Sequence, residues 1–515
     1  VTSGLPFATP ISAEADATPR AEICKTSNAL PTNWQGMWGE APSRVDLRQI
    51  KTLSGQLAEE MGLVNRRGRF GPLVGSNQLR DEPVHRWFSY KEGYSPALLS
   101  AVIECLEMGS DSLRVSDVFG GVATTALSGR AHPRVKEVRS LEYSPWAHFA
   151  GATKLAWPSL DPGRLRELLP DAVNYSLDED LPIPRLTSFT NPRIFHNRRV
   201  RSLVSAREHL TSLPSTDSLQ RNFLLLGLGA IIEDLSYAMK DGRALRIKGN
   251  RKRRPSSLLD HPSPAVPAQS GVKRAMVGQW TAMIEDLEQL AEQRQALAET
   301  PAVHLLGDAR APAATRMPDG TSAFPDGWSD VSCFSPPYLN CIDYSELYKL
   351  ELWMMGHIAS DEEFRKTRLG TLRSHPSIKF EERHSFSGFE GERVVELVRM
   401  TSLWLTENSA RRDIGPVVQA YFEDMFEVWR AQVKFLSKSG IAVCVVANST
   451  FSRRDKAADG TIAELWRMPL LTDVLLAHLA LLAGFGQVEI WDARNLRPRN
   501  VRGGAARESL VVARK

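Results

Sequence analysis

The chain has 515 residues, of which 42% are hydrophobic and 24% charged, with 64 basic side chains against 60 acidic. That is ordinary for a globular protein with a sizeable core, built as two or three domains or as one large domain with insertions. The near-balance of charge neither demands nor excludes a nucleic-acid partner, so the distribution along the chain has to decide. Five cysteines (Cys24, Cys105, Cys333, Cys341 and Cys444) form no CxxC pair, which argues against a zinc site or a disulfide framework and for reduced thiols in the cytoplasm. No apolar run is long enough to span a membrane: "LLTDVLLAHLALLAGFG" is interrupted by Asp473 and His478 and reads as a buried helix. The opening residues carry no basic region followed by an apolar core, so export is not expected.

Residues 1–80 read as an N-terminal extension: a loose Pro/Ala/Thr-rich start, a polar helix around "RVDLRQIKTLSGQLAEEMGL", then a Gly- and Arg-rich turn. "SPALLSAVIECLEM" follows as a helix, with Ser95 as its expected N-cap and Pro96 at its first position. "LRVSDVF" is a short strand ending in two glycines. Residues 161–300 change character. Two long helical patterns, "SLQRNFLLLGLGAIIEDLSYAMK" and "VKRAMVGQWTAMIEDLEQLAEQRQAL", flank a basic run that turns into a Pro/Ser-rich loop. From residue 301 the strands resume as "AVHLLGDAR", "VSCFSPPY", "GIAVCVVANST" and "QVEIWDAR". Strands alternating with helices predict an open, doubly wound, mostly parallel α/β sheet of Rossmann-like type. It would be built from residues 81–160 and 301–515, with a largely helical insert beside it.

In such a sheet the ligand crevice lies outside the carboxyl ends of the strands. "DVFGGVATT" places Asp117 at a strand tip, Gly120 and Gly121 in the turn, and Thr124 and Thr125 at the start of a helix. Glycines there let a ligand approach the backbone closely. Glu142 ends a second strand, where an acid can accept both hydroxyl protons of a ribose diol, and Asp308 ends a third. Each alone is commonly a solvated strand end. Three acids at successive strand ends would line one edge of the sheet.

In this order, "DVFGGVATT", "LEYSPWAHFAGATK", "LLGDAR" and "FSPPY" resemble the motifs of amino-methylating DNA methyltransferases that use S-adenosylmethionine. The resemblance covers about 81–157 and 302–500. The family's first motif reads D-P-F-x-G-x-G-T-T; this chain has Val118 for the proline and Ala123 for the last glycine. "HRWFSYKEGYSPALLSAVI", which contains Tyr94, resembles the segment that closes over the methionine end of the cofactor. The resemblance implies that Tyr94, Asp117, Phe119, Gly120, Gly121 and Thr124 shape the pocket for that end. It implies further that Glu142 takes the ribose hydroxyls and that Asp308 lies near the adenine. A sulfonium cation suits an acidic crevice.

The two prolines of "FSPPY" must end the preceding strand, because proline donates nothing to a sheet ladder. An exocyclic base amine is a poor nucleophile, since its lone pair is delocalised into the ring. Two fixed acceptors aimed at its hydrogens, the Ser335 hydroxyl and the Pro336 carbonyl, would stabilise the charge that develops on nitrogen. Pro336 and Pro337 hold them still, and Tyr338 is the residue expected to stack on a base swung out of the duplex. SPPY alone occurs often by chance. Serine in its first place resembles the cytosine-N4 subgroup, with adenine-N6 as the alternative. Asp343 reads either as a shaper of the loop over the base, together with Tyr344, or as a helix cap. Asn448 reads as a pocket contact or a plain turn residue.

Between Lys240 and Arg254 lie eight basic residues and one acid, Asp241. Arg251, Lys252, Arg253 and Arg254 within that run are the expected phosphate contacts, with a solvated loop as the bland reading. The sequence thus predicts a cytoplasmic DNA cytosine-N4 methyltransferase with S-adenosylmethionine as cofactor and no metal. Its setting would be restriction–modification or defence, with a cognate partner protein possible. The competing class is a nucleic-acid-binding protein on a degenerate methyltransferase scaffold.

Overall fold

A computed structural model describes residues 45–91, 93–183, 194–195, 197–240, 245–247, 268–377, 380, 383–456, 462–496 and 506–515. The strands among them are β1 (Leu63–Asn65), β2 (Leu113–Asp117), β3 (Val135–Glu142), β4 (Ala238–Lys240), β5 (Leu245–Ile247) and β6 (Ala302–Leu306). They continue with β7 (Ser329–Phe334), β8 (Leu436–Ala447), β9 (Ser449–Lys456), β10 (Ile462–Leu470), β11 (Gln487–Leu496) and β12 (Ala506–Arg514). Eight of them form one sheet in the order β1-β11-β12-β8-β7-β2-β3-β6. Every neighbouring pair is parallel except those of β12, which runs antiparallel to both β11 and β8. With helices on both faces, this is the open, mostly parallel Rossmann-like sheet that the strand–helix alternation predicts.

Burial on both faces explains the composition of the central strands. From Ile441 to Ala447 β8 has no polar residue except Cys444, and every position is buried. One core packs Trp87, Phe88 and Trp146 with the insert and one face of the sheet; the other packs Trp429, Phe422 and the helix Thr472–Ala483 on the opposite face. That helix is the apolar segment with Asp473 and His478. Asp473 accepts from Arg507 and Ser509 on β12, so its charge is met inside the fold. No helix among the described residues is long and apolar enough to cross a membrane.

The insert adds no strand to the main sheet: β4 and β5 pair with each other as a two-stranded ribbon. Its helices Asn197–Ser212, Ser218–Ala230 and Ala268–Gln289 share the first core instead. The Trp280 indole N–H donates to the Leu224 carbonyl at 2.9 Å. A Cβ on Gly229 would sit 2.1 Å from the Trp146 ring, so this helix backbone presses directly onto the sheet-covering helix Pro145–Leu155. Asp286, fully buried, accepts from the Val84 N–H (2.9 Å), the Trp87 indole (3.0 Å) and Arg86, and so ties the insert to the segment before Tyr94.

Two local expectations shift. The polar N-terminal helix is Leu47–Glu60, capped by Asp46 with Gln49 completing a capping box. The helix expected to start at Pro96 begins at Leu98, and Ser95 accepts from the Ala97 N–H ahead of its first turn. The N-terminal extension also supplies β1 at the sheet edge. Three residues are too few to carry an alternating pattern.

Candidate active site

From β2 the chain steps to β3 and β6 on one side, then to β7 and β8 on the other. The order therefore reverses between β2 and β7, and the crevice beyond their carboxyl ends is where open α/β sheets bind ligands. A cleft with about 1260 Å³ of empty space, part of it open to solvent, lies there. Tyr94, Asp117, Phe119, Gly120, Gly121, Thr124, Glu142, Asp308, Ser335 and Pro337 all line it. Pro336 and Tyr338 are not among its lining residues.

Asp117 is buried and accepts from the Thr125 hydroxyl (2.6 Å), the Phe119 N–H (2.9 Å) and the Tyr94 hydroxyl (3.2 Å). Burial pushes its carboxyl up to about 6 against these donors. Three donors on one carboxylate fix the turn after β2 and join it to the upstream segment through Tyr94. Glu142 accepts from the Gly121 N–H at 2.8 Å and the Ser144 N–H at 2.7 Å. Burial pushes it up to about 7, again against its hydrogen bonds.

The glycine turn has two physical reasons rather than one. Gly121 has φ +53°, a left-handed backbone that glycine adopts without strain. Gly120 instead makes room for a ring beneath it, because a Cβ there would lie 2.8 Å from His304 on β6. His304 is buried, pairs with the Ser140 hydroxyl at 2.6 Å, and is pushed down to about 3 by burial. It stays neutral and acts as packing. The departure Ala123 sits at φ +67°, so it carries a strain of roughly 1–2 kcal/mol that glycine would avoid. The turn keeps its course around it, with the Ala123 N–H donating to the Gly120 carbonyl at 2.8 Å.

Asp308 is gripped by Arg310, whose Nε lies 2.9 and 3.1 Å from its two oxygens and whose Nη2 lies 2.7 Å from Oδ2. Arg310 reaches on to the buried Asp424 at 3.1 Å, and Arg373 meets the same carboxylate at 2.9 Å. Arg310 also donates to the Gly370 carbonyl at 2.6 Å. This network fixes the cleft wall at residues 370–374.

On the other side of the switch point, the Ser335 hydroxyl donates to the Val445 carbonyl on β8 at 3.1 Å, leaving its lone pairs to accept. Tyr338 donates to Glu508 on β12 at 2.8 Å, and Glu508 is paired with Arg494. Asp343 is the helix cap: it accepts from the Glu346 N–H at 3.2 Å and pairs with Arg368 at 2.6 Å. Asn448 accepts from the Asp473 N–H at the start of a helix and is a structural turn residue. Burial raises the Cys333 and Cys444 thiols, which suits packing residues. Arg251, Lys252, Arg253 and Arg254 lie outside the described residues.

Tyr344, expected with Asp343 to shape the loop over the base, lines the cleft. Two contributors escape a motif reading: Tyr90, which lines the cleft stacked on Tyr344, and Arg310, which orients Asp308. Arg310 stands two residues beyond the acid in "GDAR", which was the available signal. Tyr90 carried none, because its partners Tyr344 and Tyr348 are more than 250 positions away.

No family model matches the chain. Among solved structures it is similar to the rRNA methyltransferase aviRa from Streptomyces viridochromogenes, 10% identical over 82% of this chain and 85% of that one; the TM-score of 0.24 is too low to bear on the fold. Among curated proteins it is similar to the Type II methyltransferase M.BsoBI of Geobacillus stearothermophilus. The two are 25% identical over 393 residues, which cover 72% of this chain and 70% of that protein. This similarity supports a methyltransferase.

Proposed function

We propose that the chain transfers a methyl group from S-adenosylmethionine to the N4 amine of cytosine in DNA, in a restriction–modification or defence setting. One observation carries this reading. Ser335, at the end of β7, opens onto the same cleft as the acids that end β2 and β3 and follow β6. Similarity to a Type II methyltransferase supports it.

The residues present fit the cofactor. Asp117 and Glu142 are acids in a poorly solvated cleft, which favours a sulfonium cation and a ribose diol. Tyr94, Phe119, Gly120, Gly121 and Thr124 would hold the methionine end, Glu142 the ribose, and Asp308 would lie near the adenine. Bound there, the cofactor supplies an electrophilic methyl group. Ser335 and the Pro336 carbonyl accept from the amine hydrogens, so positive charge gathering on nitrogen meets fixed dipoles. Pro336 and Pro337 restrict the loop. Tyr338 braces it against β12 through Glu508.

Incubation with labelled cofactor and DNA, digestion to nucleosides and mass spectrometry test the proposal. N4-methylcytosine is the expected product, and methyl on adenine alone would overturn the choice of base. The basic run adds a second expectation. Replacing Arg251, Lys252, Arg253 and Arg254 by alanine should weaken DNA binding and flatten its salt dependence, by up to roughly 0.9 in log–log slope per residue. Filter binding across a salt series reads this, and an unchanged slope removes the assignment.

Cofactor affinity should also depend on pH. Glu142 is held up to about 7, so it is largely protonated at pH 6 in the free protein. A diol donating to it favours the ionised form, so binding should tighten roughly tenfold between pH 6 and 8. The free protein follows the opposite sign: with its folded value above the unfolded one, Glu142 contributes stability that is present below about 4.5 and lost as pH rises through 7. Calorimetry of wild type and Glu142→Gln across that range checks both, and identical pH profiles would remove the ribose assignment.

A further inference from the structure

Lys240 opens the basic run of the insert, yet its side chain is only 3% exposed and reaches no phosphate. Its ammonium pairs with Glu351, itself 1% exposed, and with Glu233 at 3.2 Å. Glu233 stands on the insert helix Ile232–Leu235 and also accepts from the Lys240 N–H at 2.8 Å; Glu351 stands on the helix Lys349–Met354 beyond the SPPY loop. The same ammonium lies 4.6 Å from the centre of the Tyr348 ring and 5.7 Å from that of Phe88. Both rings hold the segment that enters the cleft. Phe88 belongs to it. Tyr348 stacks on Tyr90 at 4.7 Å with planes 3° apart, and its hydroxyl accepts from the Lys91 N–H at 2.7 Å. Tyr90 in turn covers the glycine turn, since a Cβ on Gly121 would lie 3.5 Å from its ring.

We infer that Lys240 is a positioning residue for cofactor binding, through which the insert holds residues 88–91 and so keeps Tyr90 over the Gly121 turn. This rests on the reading of the cleft as the S-adenosylmethionine site and deepens it. The charge itself carries the argument. A buried ion pair gives little net stability over apolar side chains of similar volume, so what it contributes is the choice of one arrangement. An ammonium that must meet two carboxylates and two ring faces at once has one place to sit. Three separate stretches of chain meet at that place: the insert, the helix after the SPPY loop and the segment ahead of Tyr94. A pocket whose wall is already fixed loses less entropy when its ligand arrives, so the cation acts on cofactor affinity without touching the cofactor.

Lys240→Met alone would strand the Glu351 carboxylate, so the test combines Lys240→Met with Glu351→Leu, which removes both charges at similar volume. The melting temperature of this double variant should stay near that of the wild type. In label transfer to DNA its KM for S-adenosylmethionine should rise roughly 3- to 30-fold. Its kcat at saturating cofactor should stay within about twofold, because Ser335 and Pro336 are untouched. The salt slope of DNA binding should not change. An unchanged KM, or a fall in kcat without a change in KM, would overturn the inference; a flattened salt slope would make Lys240 a phosphate contact and overturn it too. A wild type that shows no binding heat with S-adenosylmethionine would instead sink the cofactor reading beneath it. A second measurement uses the wild type alone and decides the matter even if the variant does not fold. Coupling between two sites is reciprocal, so added cofactor should slow amide exchange at residues 238–240 more than in the helix Ala268–Gln289 of the same insert. No added protection at 238–240 would overturn the inference.

Discussion

Replacing Ser335 by alanine is expected to lower kcat for methyl transfer by roughly 10²–10³-fold, the usual effect of removing one fixed polar group from a developing charge. Cofactor affinity should change by less than about twofold, because the acids on β2 and β3 are untouched. The reason is geometric. The hydroxyl donates to the Val445 carbonyl at 3.1 Å, which leaves lone pairs on its oxygen to accept. Alanine leaves the amine with one acceptor instead of two and gives Val445 no donor in return. Single-turnover label transfer combined with calorimetry separates the two quantities. A variant that transfers label at the wild-type rate would remove Ser335 from the site.

The second large effect concerns the fold. Asp286→Ala should destabilise the protein by about 2–4 kcal/mol, the range for leaving two buried donors without an acceptor. The Val84 N–H and the Trp87 indole then lose their acceptor in the core, whereas the partly exposed Arg86 guanidinium can turn to water. Urea denaturation followed by tryptophan fluorescence reads this directly, since Trp87 is one of the donors. A loss below about 1 kcal/mol would mean that water replaces the carboxylate. Because that segment runs on to Tyr90 and Tyr94, cofactor affinity is expected to fall in parallel.

Much of the site could be read along the chain because its parts are local. Each strand tip and the turn after it form one short segment, so "DVFGG", Glu142, "GDAR" and "FSPP" announce themselves wherever they sit. The open parallel sheet followed from the same alternation. Three features could not be read that way. Gly120 read only as a residue that serves a ligand, and it also clears His304, a residue from another strand. Asp308 appeared to be a free strand-end acid and is chelated by Arg310 within a buried network. The tyrosine stack joins positions 90, 344 and 348, which no periodicity relates.

By itself, then, the sequence determined the chemistry available at each strand end and the alternation that builds the sheet, because both depend on neighbours in the chain. Only the tertiary structure decided which strand ends meet. The reversal of order between β2 and β7 brings Ser335 beside Asp117 and Glu142 in one cleft, and the packing of the insert sets Lys240 behind the tyrosines. Such encounters depend on closing loops of hundreds of residues, which burial across the whole core makes favourable and no local signal records.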